Sequence, residues 1–133
     1  MIFMPKKVFI SYSYKKREQF QNMDLEIKKA LTRIGFEGYS FVFDQHLKFK
    51  NDQEMMVKVL GKIDECDILI AELSDKQVGI GLEVGYAKAK NKRIIYIKRI
   101  DAAYSTTVGG VADDIIDYKN CTDLIKKIVT KLL

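Results

Sequence analysis

The sequence is poor in the residues that most often hold metals: two cysteines and one histidine among 133 residues. Cys66 and Cys121 lie far apart, no CxxC pair occurs, and His46 is the single histidine. The usual zinc spacings are therefore excluded, and neither a metal nor an organic cofactor is expected. No export signal is in view, so two reduced thiols in a cytoplasmic protein are the expectation. No apolar run approaches the roughly 20 residues of a membrane span, so a membrane is not an expected partner. The opening "MIFMPKKVFISYS" lacks the basic, then apolar, then small-residue order of a secretory signal, and its apolar part reads as a strand. Repeats, low-complexity tracts and linkers are also missing. The chain, 1–133, is read as one domain.

What is present is an ordinary globular composition, 47% hydrophobic and 31% charged, with a net charge of +5 and a pI near 9.1. A basic balance raises nucleic acid as a partner. The lysines are scattered, however, as Lys15, Lys28, Lys29, Lys88, Lys90, Lys92, Lys126, Lys127 and Lys131 show. Most fall on the polar faces of predicted helices, and no basic stripe interleaved with aromatics appears. Nucleic acid is not the expected partner; a small anionic ligand suits the charge.

Strands and helices alternate along the chain. "KKVFISYS" (6–13) predicts a first strand, and Phe20, Met23, Ile27, Leu31 and Ile34 recur at helical spacing with Gly35 as the stop. "YSFVF" (39–43) predicts a second strand. "NDQE" (51–54) is a capping box opening a helix that buries Met55, Met56, Val59, Leu60 and Ile63. "DILIAEL" (67–73) reads as a central parallel strand. A helix over about 79–91, strands "RIIYIK" (93–98) and "DIIDY" (114–118), and a final helix carrying Leu124, Ile125, Ile128, Val129 and Leu132 complete the pattern. The expectation is an α/β fold with a doubly wound parallel sheet of about five strands, Rossmann-like in its winding. Such sheets bind ligands beyond the carboxyl ends of their strands, where strand order reverses. That rule gathers the loops with Ser11 to Lys15, Asp44 to His46, Ser74 to Glu83, and residues 99–113.

One acid stands out in those loops. "GIGLEVG" places Glu83 among three glycines, just after a buried strand. The pattern is GxGxxxG and follows the third strand, so it is a poor dinucleotide fingerprint. Gly79 and Gly81 suit a backbone that approaches a ligand at a helix N-terminus. Glu83 is expected in the first helical turn, where the dipole favours its ionised form. An ionised carboxylate beside a sugar-sized pocket is the nucleophile of a retaining glycosidic displacement. A glutamate that merely suits its helix end is the other reading, and the residues alone leave both open. Ser11 and Ser13 are turn or cap donors unless Lys15 enlists them for a ligand. Tyr86 packs on the same helix face or orients the carboxylate with its phenol.

The segment "CDILIAELSDKQVGIGLEVGYAKAKNKRIIYI" resembles the nucleoside 2-deoxyribosyltransferase family, and within it the deoxynucleoside 5′-monophosphate N-glycosidases. The likeness is specific over about residues 60–98 and collinear elsewhere. It implies a flavodoxin-like fold, a homodimer or higher homo-oligomer, and cleavage of the base–sugar bond of a nucleoside or (deoxy)nucleoside 5′-monophosphate. By the resemblance, Glu83 is the nucleophile, and water or a second base completes hydrolysis or exchange. Ser13 and Lys15 match the phosphate loop. Ser105 matches a serine that the neighbouring subunit supplies. Asp44 to His46 match the loop facing the base. With Ser11, Gln77, Gly79 and Gly81 they form the candidate substrate-binding set.

Three positions depart from the family. A tyrosine of the first strand is Phe9, an aspartate of the second long helix falls on Val59, and the polar position six before the nucleophile is Gln77. Asp44, His46 or Asp52 then supplies the proton, or the leaving group needs none, or the site binds nucleotide without turnover. A rival resemblance lies in "KKVFISYSYKKREQF", which is similar to the opening of Toll/interleukin-receptor-like domains. That likeness implies NAD cleavage or a nucleotide-sensing interaction module.

Overall fold

A computed structural model describes residues 4–45 and 48–133. Its five strands are β1 (Lys6–Ser11), β2 (Phe36–Tyr39), β3 (Ile68–Glu72), β4 (Arg93–Arg99) and β5 (Asp114–Tyr118). They pair in the order β2-β1-β3-β4-β5, and every pairing is parallel. The helices are α1 (Gln21–Arg33), α2 (Phe41–Asp44), α3 (Asp52–Asp64), α4 (Val78–Ala89), α5 (Thr106–Val111) and α6 (Cys121–Leu132). This is the flavodoxin-like winding, in which strand order reverses beside β1.

Alternation along the strands divides the core into two layers. Val8, Ile10, Ile68, Ile70, Ile95 and Ile97 pack against Ile27 and Leu31 of α1 and Leu124 and Ile128 of α6. On the opposite face Phe9, Leu69, Ala71, Ile94 and Tyr96 meet Val59 and Ile63 of α3, Ile80, Val84 and Ala87 of α4, and Val108 of α5. All five residues of β3 are buried, which is why that stretch is apolar without alternation.

Helix ends follow local chemistry. The Asn51 side chain caps α3 by accepting from the Glu54 N–H at 2.9 Å, and the Glu54 carboxylate accepts in return from the Lys50 N–H. Gly35 ends α1 with φ of 86°, a conformation open to glycine at little cost.

The second strand differs from its expected span. β2 stops at Tyr39, and Phe41–Asp44 form one helical turn. Ser40 donates its N–H to the Asp44 carboxylate at 2.9 Å, a local bond that folds the chain back at the sheet edge. Aromatic and β-branched composition favoured a strand here, and tertiary polar contacts overrode it.

Candidate active site

Glu83 lies on α4, six residues into the helix rather than in its first turn. The helix begins one residue before the glycines, at Val78, so the dipole does little for this carboxylate. Its environment is set instead by partial burial between α4 and the end of β1. Burial pushes its pKa up to about 7, while a hydrogen bond from Ser11 acts in the opposite sense. Ser11 Oγ donates to Glu83 Oε1 at 2.9 Å. Ser11 follows Phe9 by two residues in β1, so both point to the α3–α4 face. The chain has no phenol at Phe9 to orient the acid, and a hydroxyl one pleat further along does so.

Glu83 opens onto a cavity of about 470 Å³. One wall comes from the loop after β1, with Tyr12, Ser13 and Tyr14; another comes from Phe41, Val42 and Gln45. Phe49, Met55, Met56 and Val59 close the side formed by α3, and Gln77, Gly79 and Ile80 the side formed by α4. Phe41 and Phe49 stack with ring centroids 5.8 Å apart, giving a flat apolar surface. Among the described lining residues Glu83 is the one carboxylate. A volume of this size, mostly apolar with a few polar groups, suits a small planar ligand carrying a polar end. It lies at the carboxyl ends of β1 and β3, where the sheet reverses.

The other predicted positions fall as follows. Ser13 is buried on the cavity wall, and its Oγ accepts from the Lys16 N–H at 3.3 Å. Lys15 is exposed in the same loop. Gln77 occupies the N-cap position of α4, but its side chain makes no cap bond and lines the cavity. Gly79 shares that lining, whereas Gly81 borders a separate groove on the other side of α4. A Cβ at either glycine would meet nothing within 4 Å, so the fold's own packing does not demand them. Ser105 caps α5, accepting from the Val108 N–H at 3.3 Å, and borders the groove with Gly81. Asp44 is engaged by Lys28 and by the Ser40 N–H. His46 lies outside the described residues. Asp52 is exposed at the start of α3. The Tyr86 hydroxyl donates to Asp64, at 2.8 Å to the nearer oxygen, so it does not orient Glu83.

Val59 is core, as its helical spacing predicts, with Met56 packed against the same cluster, and both line the cavity together with Met55. Helical spacing marks a buried face without saying whether protein or ligand covers it. Gln45 and Phe49 gave no signal of their own. Among the described residues no group of three or more His, Cys, Asp or Glu side chains is placed to hold a metal ion. Likewise, none of the described helices is long and apolar enough to cross a membrane.

Comparison with known proteins fits this geometry. No family model matches the chain. A Methanosarcina mazei protein named "Putative 2′-deoxynucleoside 5′-phosphate N-hydrolase 1" is 28% identical over 131 residues, covering 93% of this chain and 81% of that protein. The solved structure of a Clostridium botulinum CMP N-glycosidase superposes with a TM-score of 0.72 at 22% identity, covering 96% of this chain and all of the other. A 2-deoxyribosyltransferase from Leishmania mexicana gives 0.68 at 14% identity, over 97% of this chain and 100% of that one. At such identities the solved structures establish the shared fold, and the sequence relative adds a likeness over nearly the whole chain. These relatives support the nucleoside 2-deoxyribosyltransferase family. That agrees with the likeness in residues 60–98, which span the end of α3, β3, α4 and β4.

Proposed function

We propose that the chain is an N-glycosidase that cleaves the base–sugar bond of a (deoxy)nucleoside 5′-monophosphate, with Glu83 as nucleophile. The observation that carries the reading is a partly buried carboxylate, oriented by Ser11, facing a cavity sized for a base and a sugar. Oε1 holds the Ser11 hydroxyl, which leaves Oε2 to attack the anomeric carbon. The C–N bond breaks, its electron pair leaves with the base, and a glycosyl ester of Glu83 forms. Water then adds to the anomeric carbon, the ester C–O bond breaks, and Glu83 is regenerated. With a second base in place of water the same intermediate gives transfer.

In this reading the base lies against Phe41, Phe49, Met55, Met56 and Val59, whose apolar surface favours stacking. The phosphate lies towards the loop of Ser13 and Lys15 and the uncapped start of α4 at Gln77 and Gly79. Ser105, which within one chain lines the groove of Gly81 and not the Glu83 cavity, contributes from a neighbouring subunit of a homo-oligomer.

The test is release of free base, followed by chromatography, from deoxynucleoside monophosphates, nucleosides, ribonucleotides and NAD. We expect release from at least one monophosphate and a loss of at least about 10²-fold in Glu83→Ala. Equal activity in the variant removes Glu83 from the mechanism, and no release from any substrate defeats the enzyme reading. Lys15→Ala should erase a preference for the phosphorylated substrate; retained selectivity removes that loop from phosphate binding.

A further inference from the structure

Lys28 is on α1, outside the cavity, and its ammonium is nonetheless tied to the segment that forms one cavity wall. Nζ reaches Asp24 Oδ2 at 2.6 Å, Ser40 Oγ at 2.9 Å and Asp44 Oδ2 at 2.8 Å. Ser40 is fully buried and Asp24 is 2% exposed, so two of these partners are out of water. Ser40 Oγ also donates to Asp24 Oδ2 at 3.1 Å, and the Ser40 N–H donates to Asp44. Ser40 and Asp44 bracket α2, the four-residue helix whose Phe41 and Val42 line the cavity. The third aromatic of this turn, Phe43, packs edge-on against Tyr12 at 5.4 Å.

A single helical turn does not hold itself in water. Its place is therefore set from outside, by the packing of Phe43 on Tyr12 and of Phe41 on Phe49 and by one cation shared between a carboxylate of α1 and a carboxylate at the end of α2. The lysine stem is fixed in its path as well. A Cβ at Gly38 would come 3.1 Å from both Lys28 Cγ and Leu31 Cδ1, so β2 lies close against the stem. None of Asp24, Lys28, Ser40 and Asp44 lines the cavity, which separates the cluster's role from contact with substrate.

We propose that Lys28 is a positioning residue: clamped between Asp24 and Asp44, it holds α2 where Phe41 and Val42 shape the base-binding wall. The inference rests on the nucleotide-cleaving reading for its effect on kinetics, and on the fold alone for its effect on α2. Chemistry at Glu83 is carried by β1 and α4 and is independent of this clamp. Losing the clamp should weaken binding of the base and leave the bond-breaking step largely intact.

The experiment compares wild type, Lys28→Met, Lys28→Arg and Asp44→Asn by amide hydrogen exchange and by steady-state base release. Asp44→Asn is included because Lys28→Met leaves the buried Asp24 without a counter-ion and is at risk of misfolding. In Asp44→Asn we expect faster exchange confined to the amides of Phe43, Asp44 and Gln45, which are bonded to Ser40 and Phe41 carbonyls. The expected kinetic signature is a rise in KM of about tenfold with kcat little changed. Lys28→Met should follow the same pattern more strongly, and Lys28→Arg should recover part of the KM. Unchanged exchange across residues 41–45, or exchange that rises equally over α1, α3 and α4, overturns the clamp. Faster local exchange with unaltered KM overturns its link to the site. A wild-type protein that releases no base defeats the proposed function, and the exchange pattern then decides the clamp by itself.

Discussion

Ser11 and Glu83 are 72 positions apart in the chain, and their side chains meet in a 2.9 Å hydrogen bond, with Glu83 lining the cavity. The bond fixes one carboxylate oxygen of a residue that lines the cavity and leaves the other without this partner. It also works against burial, which alone would hold the acid protonated further into the neutral range. Ser11→Ala should therefore raise the pKa of Glu83 above about 7 and move the pH–rate midpoint upward. A hydrogen bond to a charged group is worth about 1.5–3 kcal/mol, so activity at neutral pH should fall by about tenfold or more. Ser11→Thr, which keeps the hydroxyl, should retain most of it. A pH–rate profile of Ser11→Ala that overlays the wild type would remove Ser11 from the mechanism.

The same carboxylate makes stability depend on pH. Its folded pKa, about 7, stands above the ordinary value of 4.5. An acid whose folded pKa is raised binds its proton more tightly in the native state, so folding is favoured below the ordinary value. That advantage is lost as pH rises through the folded value. Replacement by an uncharged isostere removes the cost of ionising in place. Glu83→Gln should be more stable than wild type at pH 8 by about 1–3 kcal/mol, after discount for its partial exposure. The difference should vanish near pH 4. Urea denaturation at the two pH values measures it, and a constant difference would mean that Glu83 ionises as freely as an exposed glutamate. An activity that rises between pH 6 and 8 in the wild type is the kinetic counterpart.

Much of this layout was legible in the sequence because buried strands and helix faces write their periods directly into it. β3 reads as an unbroken apolar run since both its faces are covered, and Asn51 with Glu54 reads as a cap since the bonding is local. Glu83 was legible because a lone acid among glycines after such a strand is chemically unusual. The partners of Glu83 were harder to read. Ser11 looked like one more strand-end hydroxyl, and only the parallel pairing of β1 with β3 brings it to α4. The turn at Phe41–Asp44 differs from the expected strand because the partners of Ser40, Phe43 and Asp44, among them the Lys28 ammonium, include groups from other elements. Met55 and Met56 illustrate the same limit, since periodicity records that a face is buried and not what covers it.

Another acid, this one buried, lies across the sheet from the cavity. Glu72, 2% exposed, accepts from the Ser74 N–H at 2.9 Å, from Ser74 Oγ at 2.7 Å, and from the Tyr118 hydroxyl. Burial first, and the bond to Glu72 after it, drive the Tyr118 pKa well upward, so the phenol stays a donor throughout the neutral range. These bonds tie the end of β3 to β5 across β4. Tyr118→Phe deletes one donor and leaves a buried carboxylate short of a partner, at a cost of about 1–3 kcal/mol. Because Tyr118 belongs to the α1–α6 layer, kcat and KM should be unaffected in the folded fraction. A chemical denaturation curve unchanged from wild type would show that Glu72 is satisfied by Ser74 alone.

Val59 tests how the leaving base is handled. It is 4% exposed, lines the cavity on the α3 side, and stands where the family resemblance places an aspartate. A carboxyl group introduced there would lie among Met55, Met56 and Ile80, surroundings that keep it protonated at mildly acid pH. A protonated acid beside the departing base contributes about 10²–10⁴-fold where the leaving group needs a proton. Val59→Asp should therefore speed base release at pH 6 by at least about tenfold for neutral bases. The gain should fade as rising pH ionises the new group. The substitution costs about 1–3 kcal/mol of stability, so rates must be normalised to folded protein. A folded Val59→Asp variant with no gain at any pH would mean that the leaving base already departs without help from that side of the cavity. Discrimination would then rest on the fit of the Phe41–Phe49 wall and not on proton supply.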